Sequence, residues 1–198
     1  MTFDLTGKLL IATPAMGDPR FARSVIYLCA HGSEGAFGLV INRAVPGLHL
    51  RDVLAQIDIK PDELLPEGIA AAPVRAGGPV EPARGFVLHR TDPGMRPLDA
   101  PMQPLPDGLM LSASTEILAA IAAGEGPKHW FLALGYSGWG PGQLEAEIGQ
   151  NAWLTADCPE ESQDALLFVR EQGEAQWQGA LHSIGVDPLS LSAVSGRA

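Results

Sequence analysis

The sequence predicts an α+β fold: a mainly antiparallel, curved sheet or partial barrel with helices packed on it, in a single compact domain over residues 1–198. Three observations carry that expectation. Strand-like runs of β-branched and aromatic residues come in adjacent groups, so neighbours can pair as hairpins. Helical periodicities arrive irregularly, without the strict strand–helix alternation of a doubly wound parallel sheet. Of the 198 residues 46% are apolar, enough for one sizeable core, and 23 Gly with 17 Pro imply many turns without the proportion typical of disorder.

Lys8-Leu9-Leu10-Ile11-Ala12-Thr13 reads as a first strand, stopped by Pro14, which has no N–H for a ladder. Pro14 to Arg20 is turn chemistry. Ser24 to His31 is nearly apolar on both faces, as a central strand should be. Gly32-Ser33-Glu34-Gly35 has hairpin length, and Ala36 to Asn42 supplies a third strand, so 24–42 reads as an antiparallel hairpin. Leu50, Val53, Leu54 and Ile57 follow a helical period. Pro61, Pro66 and Pro73 lead to a short strand at Val74-Arg75-Ala76, and Gly85 to His89 makes another. Arg90 to Pro106 carries Pro93, Pro97, Pro101, Pro104 and Pro106 and reads as a surface excursion. Gly108 to Ser112 is a strand; Ser112 or Ser114 is placed to cap a helix through Ala123, with Gly124 as its stop. Trp130 to Gly135 is an apolar strand. Pro141 suits the first position of a helix over Gln143 to Ile148, where Glu145 and Glu147 favour the positive end of the dipole. Trp177, Leu181 and Ile184 share one face of a last helix.

The formal net charge is −10, and residues 141–198 hold nine acidic against two basic residues. Phosphate neutralisation needs clustered Lys and Arg, so direct nucleic-acid binding is disfavoured. The acidic third reads as a solvated face or as a docking surface for a basic partner. No apolar stretch has the length of a membrane span, and the first residues lack the basic region of a secretory signal. Two cysteines without a partner motif suit a reducing cytoplasm. CxxC, HExxH, P-loop and GxGxxG patterns are absent, so neither a metal nor a cofactor is expected.

Three segments exceed the needs of a core. Strand alternation puts Cys29 and His31 on one face, where a thiol beside an imidazole could form a reactive thiolate; a buried strand cysteine near a turn histidine is the plainer reading. Gly135-Tyr136-Ser137-Gly138-Trp139-Gly140-Pro141-Gly142 allows close backbone approach ahead of a helix start. Gly138, Trp139, Gly140 and Gly142 are therefore candidate ligand-binding residues, against the alternative of a strained strand-to-helix turn. The segment is no Gly-x-Ser-x-Gly nucleophile elbow, because Gly138 follows Ser137 directly. Asn42 ends a strand, and Arg84 and His89 flank one; all three are ligand candidates if the fold brings them together, and turn or surface residues otherwise.

These segments also carry a resemblance. Gly7 to Pro14 with Met16, Asp18 and Phe21, then Ser24 to Cys29 with His31, then Gly38 to Arg43, resemble the bacterial YqgE/AlgH family. Gly77-Gly78-Pro79-Val80, Arg84 to His89 and Gly135 to Glu145 continue it in register, over about residues 4–190. Ser137 departs from it, standing where many members carry alanine. The resemblance implies a compact α+β domain and a cytoplasmic bacterial protein, brings no catalytic residues, and attaches a transcriptional-regulator label to one branch. No helix-turn-helix pattern or basic stripe accompanies that label here.

The expected function is a non-enzymatic regulatory or interaction domain that meets a protein partner or a small ligand without gripping DNA. The alternative is a small-molecule binder or enzyme built on 135–142 with Cys29 and His31.

Overall fold

The computed structural model describes residues 4–61, 65–93, 95, 98–169, 173–188 and 191. Leu9–Ala12 (β1), Val25–Gly32 (β2) and Gly35–Val40 (β3) are the first strands, and β2 and β3 form the expected hairpin, Gly32 opposite Gly35. Ala44–His49 (β4) leads into the helix Leu50–Gln56 (α1) and a single turn at Glu67–Ala70 (α2). Pro73–Ala76 (β5) and Val80–Arg90 (β6) follow. The Pro-rich stretch holds a short strand, Met102–Pro104 (β7), paired with Leu109–Ser112 (β8); Pro97 lies outside the described residues. Thr115–Ala122 is α3, Trp130–Trp139 is β9, Gln143–Gly149 is α4 and Trp153–Ala156 is β10. A 3-10 turn at Glu160–Ser162, α5 (Gln163–Leu166) and α6 (Glu174–Ser183) follow, α6 burying Trp177 and Leu181 as their spacing required.

Eight strands run β10-β1-β2-β3-β9-β6-β8-β7, and β5 pairs with β9 while β4 pairs with β5. Among the described residues every pairing is antiparallel except that of β5 with β9, so the sheet is one curled, mainly antiparallel surface with α1–α6 against it. The architecture is α+β with more sheet than helix. Strand alternation splits the core. Leu9, Ile11, Val25, Tyr27, Leu39, Ile41, Leu88 and Phe131 face Trp177 and Leu181 of α6. On the other face Leu10, Ile26, Leu28 and Val40 pack with Trp139, Trp153 and Leu144 of α4. Farther along, Val74, Val87 and Leu132 meet Leu50 and Leu54 of α1 and Ile117 and Ile121 of α3. Burying both faces explains why the strands read as continuous apolar runs rather than as alternations.

Two local expectations change. Ser114 occupies the N-cap of α3 but makes no capping bond; its hydroxyl lies 3.3 Å from Ser112 instead. Pro141 precedes α4 rather than opening it, because Gly142 is the N-cap, at φ +70°.

Candidate functional site

Cys29 and His31 do not meet. Leu28 pairs with Gly38 and Ala30 with Phe37, so Cys29 is the extra residue of a β-bulge. The bulge inverts the alternation beyond it. Cys29 stays on the Tyr27 face, whereas His31, opposite Ala36, turns to the face of Trp139. There the His31 ring accepts the Leu5 N–H at Nδ1 (3.2 Å) and meets Glu145 through Nε2 (3.1 Å). The Cys29 thiol is fully buried, and burial pushes its ionisation well above the usual range, the reverse of what a reactive thiolate requires.

The Gly-rich segment is strand in its first five residues and a turn into α4 from Gly140 to Gly142. Residues 135–139 continue β9, and Gly138 and Trp139 pair with Phe37 and Ala36 of β3. Of its glycines, Gly135 answers to a chain crossing: a Cβ on Gly78 would lie 2.1 Å from the Tyr136 carbonyl carbon, and one on Gly135 2.5 Å from the Gly78 oxygen. Two backbones therefore touch where β5 runs out into β6 over β9. The expected cradle is already filled from within. The Gly140 N–H donates to Gln143 Oε1 at 3.1 Å, and Trp139 donates its indole N–H to Glu147 at 3.0 Å.

Asn42 and His89 are buried, and Asn42 is consumed by the fold. Its oxygen accepts the Val25 N–H at 2.9 Å, and its amide donates to the carbonyls of Arg23 (2.9 Å) and Gly173 (3.0 Å), tying β2, β3 and the start of α6. His89 Nδ1 lies 2.9 Å from the Arg90 carbonyl, and its Nε2 has no partner among the described residues. Burial holds its pKa below the usual imidazole value. Arg84 is exposed, paired with Glu81 at 3.1 Å, and stands 5.1 Å from the centre of the Phe86 ring. Among the described residues no cavity is lined by more than one of these three.

Only Arg84 among the predicted site residues reaches the largest described concavity, an open groove of about 660 Å³ between β2–β3, β6, β7 and β9. Phe37, Phe86 and Tyr136 form its floor, their ring centres 5.4 Å (Phe37–Phe86), 4.9 Å (Phe37–Tyr136) and 6.0 Å (Phe86–Tyr136) apart. Ala30 lies at one side because the bulge turns it there, and Met102 and Gln103 of β7 form a wall, with Gln103 donating to the Cys29 carbonyl at 3.0 Å. Each of these rings sits in a different strand, so nothing in the linear sequence groups them. The usable signal was Phe37 and Phe86 as the lone Phe, Tyr or Trp of β3 and β6. Among the described residues no group of three His, Cys, Asp or Glu could hold a metal ion, and no helix is long and apolar enough to cross a membrane.

A family profile described as AlgH-like matches residues 9–189. A UPF0301 protein of Ruegeria pomeroyi is 50% identical over 195 residues, covering 98% of this chain and 100% of the relative. Another from Rhodopseudomonas palustris is 49% identical over 197 residues, covering 98% and 87%. Among solved structures, that of the AlgH protein from Pseudomonas aeruginosa aligns with a TM-score of 0.74 and 41% identity, over 100% of this chain and 96% of that one. A Corynebacterium diphtheriae protein shares the fold, with a TM-score of 0.64 at 21% identity, over 98% and 92% of the two chains.

Proposed function

The chain belongs to the AlgH-like family, and from that premise we propose that it is a non-enzymatic regulatory domain that takes a small planar ligand in the Phe37–Phe86–Tyr136 groove and acts by contact with another protein. One observation carries the reading: three tilted aromatic rings floor an open groove of about 660 Å³ with the Arg84 guanidinium at its rim. Ring faces and edges offer stacking, and the guanidinium offers a cation, so the ligand class is a flat ring bearing an acidic group. Protein contact rather than DNA contact follows from the charge of −10. The cytoplasm suits a chain whose two cysteines are both free. An enzyme built on Cys29 and His31 has no support, since the two side chains occupy opposite faces of the sheet.

The test is a melting series with salicylate, anthranilate and nicotinate on the wild type, Phe37→Ala and Arg84→Ala. At least one acid raises the wild-type melting temperature, and both substitutions abolish the rise. No shift with any acid, or equal shifts in the variants, overturns the ligand. Tight, sequence-selective DNA binding by the purified protein at about 150 mM salt overturns the mode of action.

A further inference from the structure

Arg75, on β5, is the only Lys, Arg, Asp or Glu in the buried class among the described residues, with 3% of its surface exposed. Its guanidinium lies 3.9 Å from the centre of the Phe131 ring, and Nη2 donates to the Val169 carbonyl at 3.3 Å. Nε and Nη1 have no hydrogen-bond partner among the described residues. Burial pushes the group down to about 9, so it remains charged at neutral pH. A buried cation with unmade hydrogen bonds is costly, and stacking on a ring satisfies none of its N–H donors.

The residue lines a cavity of about 200 Å³ together with the exposed Lys128 and the half-buried His129. His129 Nδ1 is also buried without a hydrogen bond. Six buried side-chain nitrogen or oxygen atoms lack a partner among the described residues, and three of them belong to these two cavity-lining residues. The nearby acids stand on the His129 side: Asp92 is 3.8 Å from Nδ1 and Asp164 3.8 Å from Nε2. No described carboxylate pairs with Arg75. The remaining wall is apolar, including Ile69, Pro73, Phe131 and Phe168. Arg75 and Lys128 both line the cavity, against the trend of a chain at −10.

We propose that this cavity binds a short-chain aliphatic carboxylate, its oxygens on the Arg75 guanidinium and its hydrocarbon tail against Ile69 and Phe168. A carboxylate supplies the acceptors that Arg75 lacks. A tail of a few carbons suits the volume and the apolar wall, and a fully hydrated phosphate does not. The site shares no residue with the aromatic groove.

The experiment titrates the full chain with sodium propionate against sodium chloride at equal ionic strength, with inorganic phosphate as a separate arm. It follows the melting temperature and the Arg75 Nε–H resonance. Propionate is expected to raise the wild-type melting temperature by a few degrees and to move the Nε–H signal saturably. Arg75→Met should lose the thermal response, and Phe37→Ala should keep it. A response to phosphate but not propionate, an unmoved Nε–H signal, or an equal rise in Arg75→Met overturns the proposal. Should Arg75→Met not fold, the wild-type Nε–H titration decides alone.

Discussion

Trp153 donates its indole N–H to the Glu147 carboxylate at 2.8 Å, binding the start of β10 to the middle of α4. The same carboxylate takes the indole of Trp139 at 3.0 Å, and the two indoles meet edge-on with centres 6.1 Å apart. Glu147→Ala removes the acceptor from two buried donors and is expected to cost about 2 kcal/mol. Glu147→Gln keeps an oxygen for them and costs under about 1 kcal/mol. Urea unfolding of the two variants measures both.

The chain crossing separates two glycines that look alike in sequence. Gly78→Ala drives a Cβ to 2.1 Å from backbone that cannot yield, and it should remove at least about 3 kcal/mol, a large share of a domain's stability. Gly142, at φ +70° with open space around it, should lose only about 1 kcal/mol on conversion to alanine. Soluble yield and denaturant midpoint distinguish the two.

Alkaline stability should reveal the buried thiols. An unfolded cysteine ionises near 9; in the fold burial pushes Cys158 up to about 12 and Cys29 further in the same direction. The fold therefore favours the protonated thiols. Their contribution is complete below pH 9 and is lost above it, by about 1.4 kcal/mol per pH unit for each thiol. Arg75, held down to about 9, pulls the opposite way in the same window. A difference curve between the wild type and Cys29→Ala/Cys158→Ala cancels that effect, and it should fall as pH rises from about 8 to about 10.

His89 carries the acid counterpart. Burial depresses its folded pKa below 6.5, so the unfolded chain binds the proton more readily. Stability is unaffected above the unfolded value and declines as pH falls below about 6.5, levelling off below the folded pKa. His89→Leu should flatten the melting temperature between about pH 7 and about pH 5 relative to the wild type.

Much of the sheet was legible because strands buried on both faces are written as unbroken apolar runs, as in Leu9–Ala12, Val25–Gly32 and Trp130 onward. Strands β4 and β7 were not, since their prolines, with Gly47 in β4, mark them as turns, and β10 is no unbroken apolar run, because the exposed Thr155 interrupts it. The inserted residue at Cys29 leaves no trace in an alternation that is apolar on both faces, so the expected Cys29–His31 pair rested on a register the chain does not keep. Gly135 read as part of a turn because its cause, the backbone at Gly78, lies more than fifty residues away in sequence, whereas Gly140 and Gly142 do lie in the turn before α4. Arg75 sat in a short strand with nothing local to mark its burial.

Pairing of Leu9 with Ala156 has a consequence for synthesis. During translation the first strand leaves the ribosome long before the segment that covers its outer side exists, and for that interval it presents bare amide and carbonyl groups. A chain truncated ahead of residue 153 would keep that unguarded border permanently and would be prone to stick to its own kind.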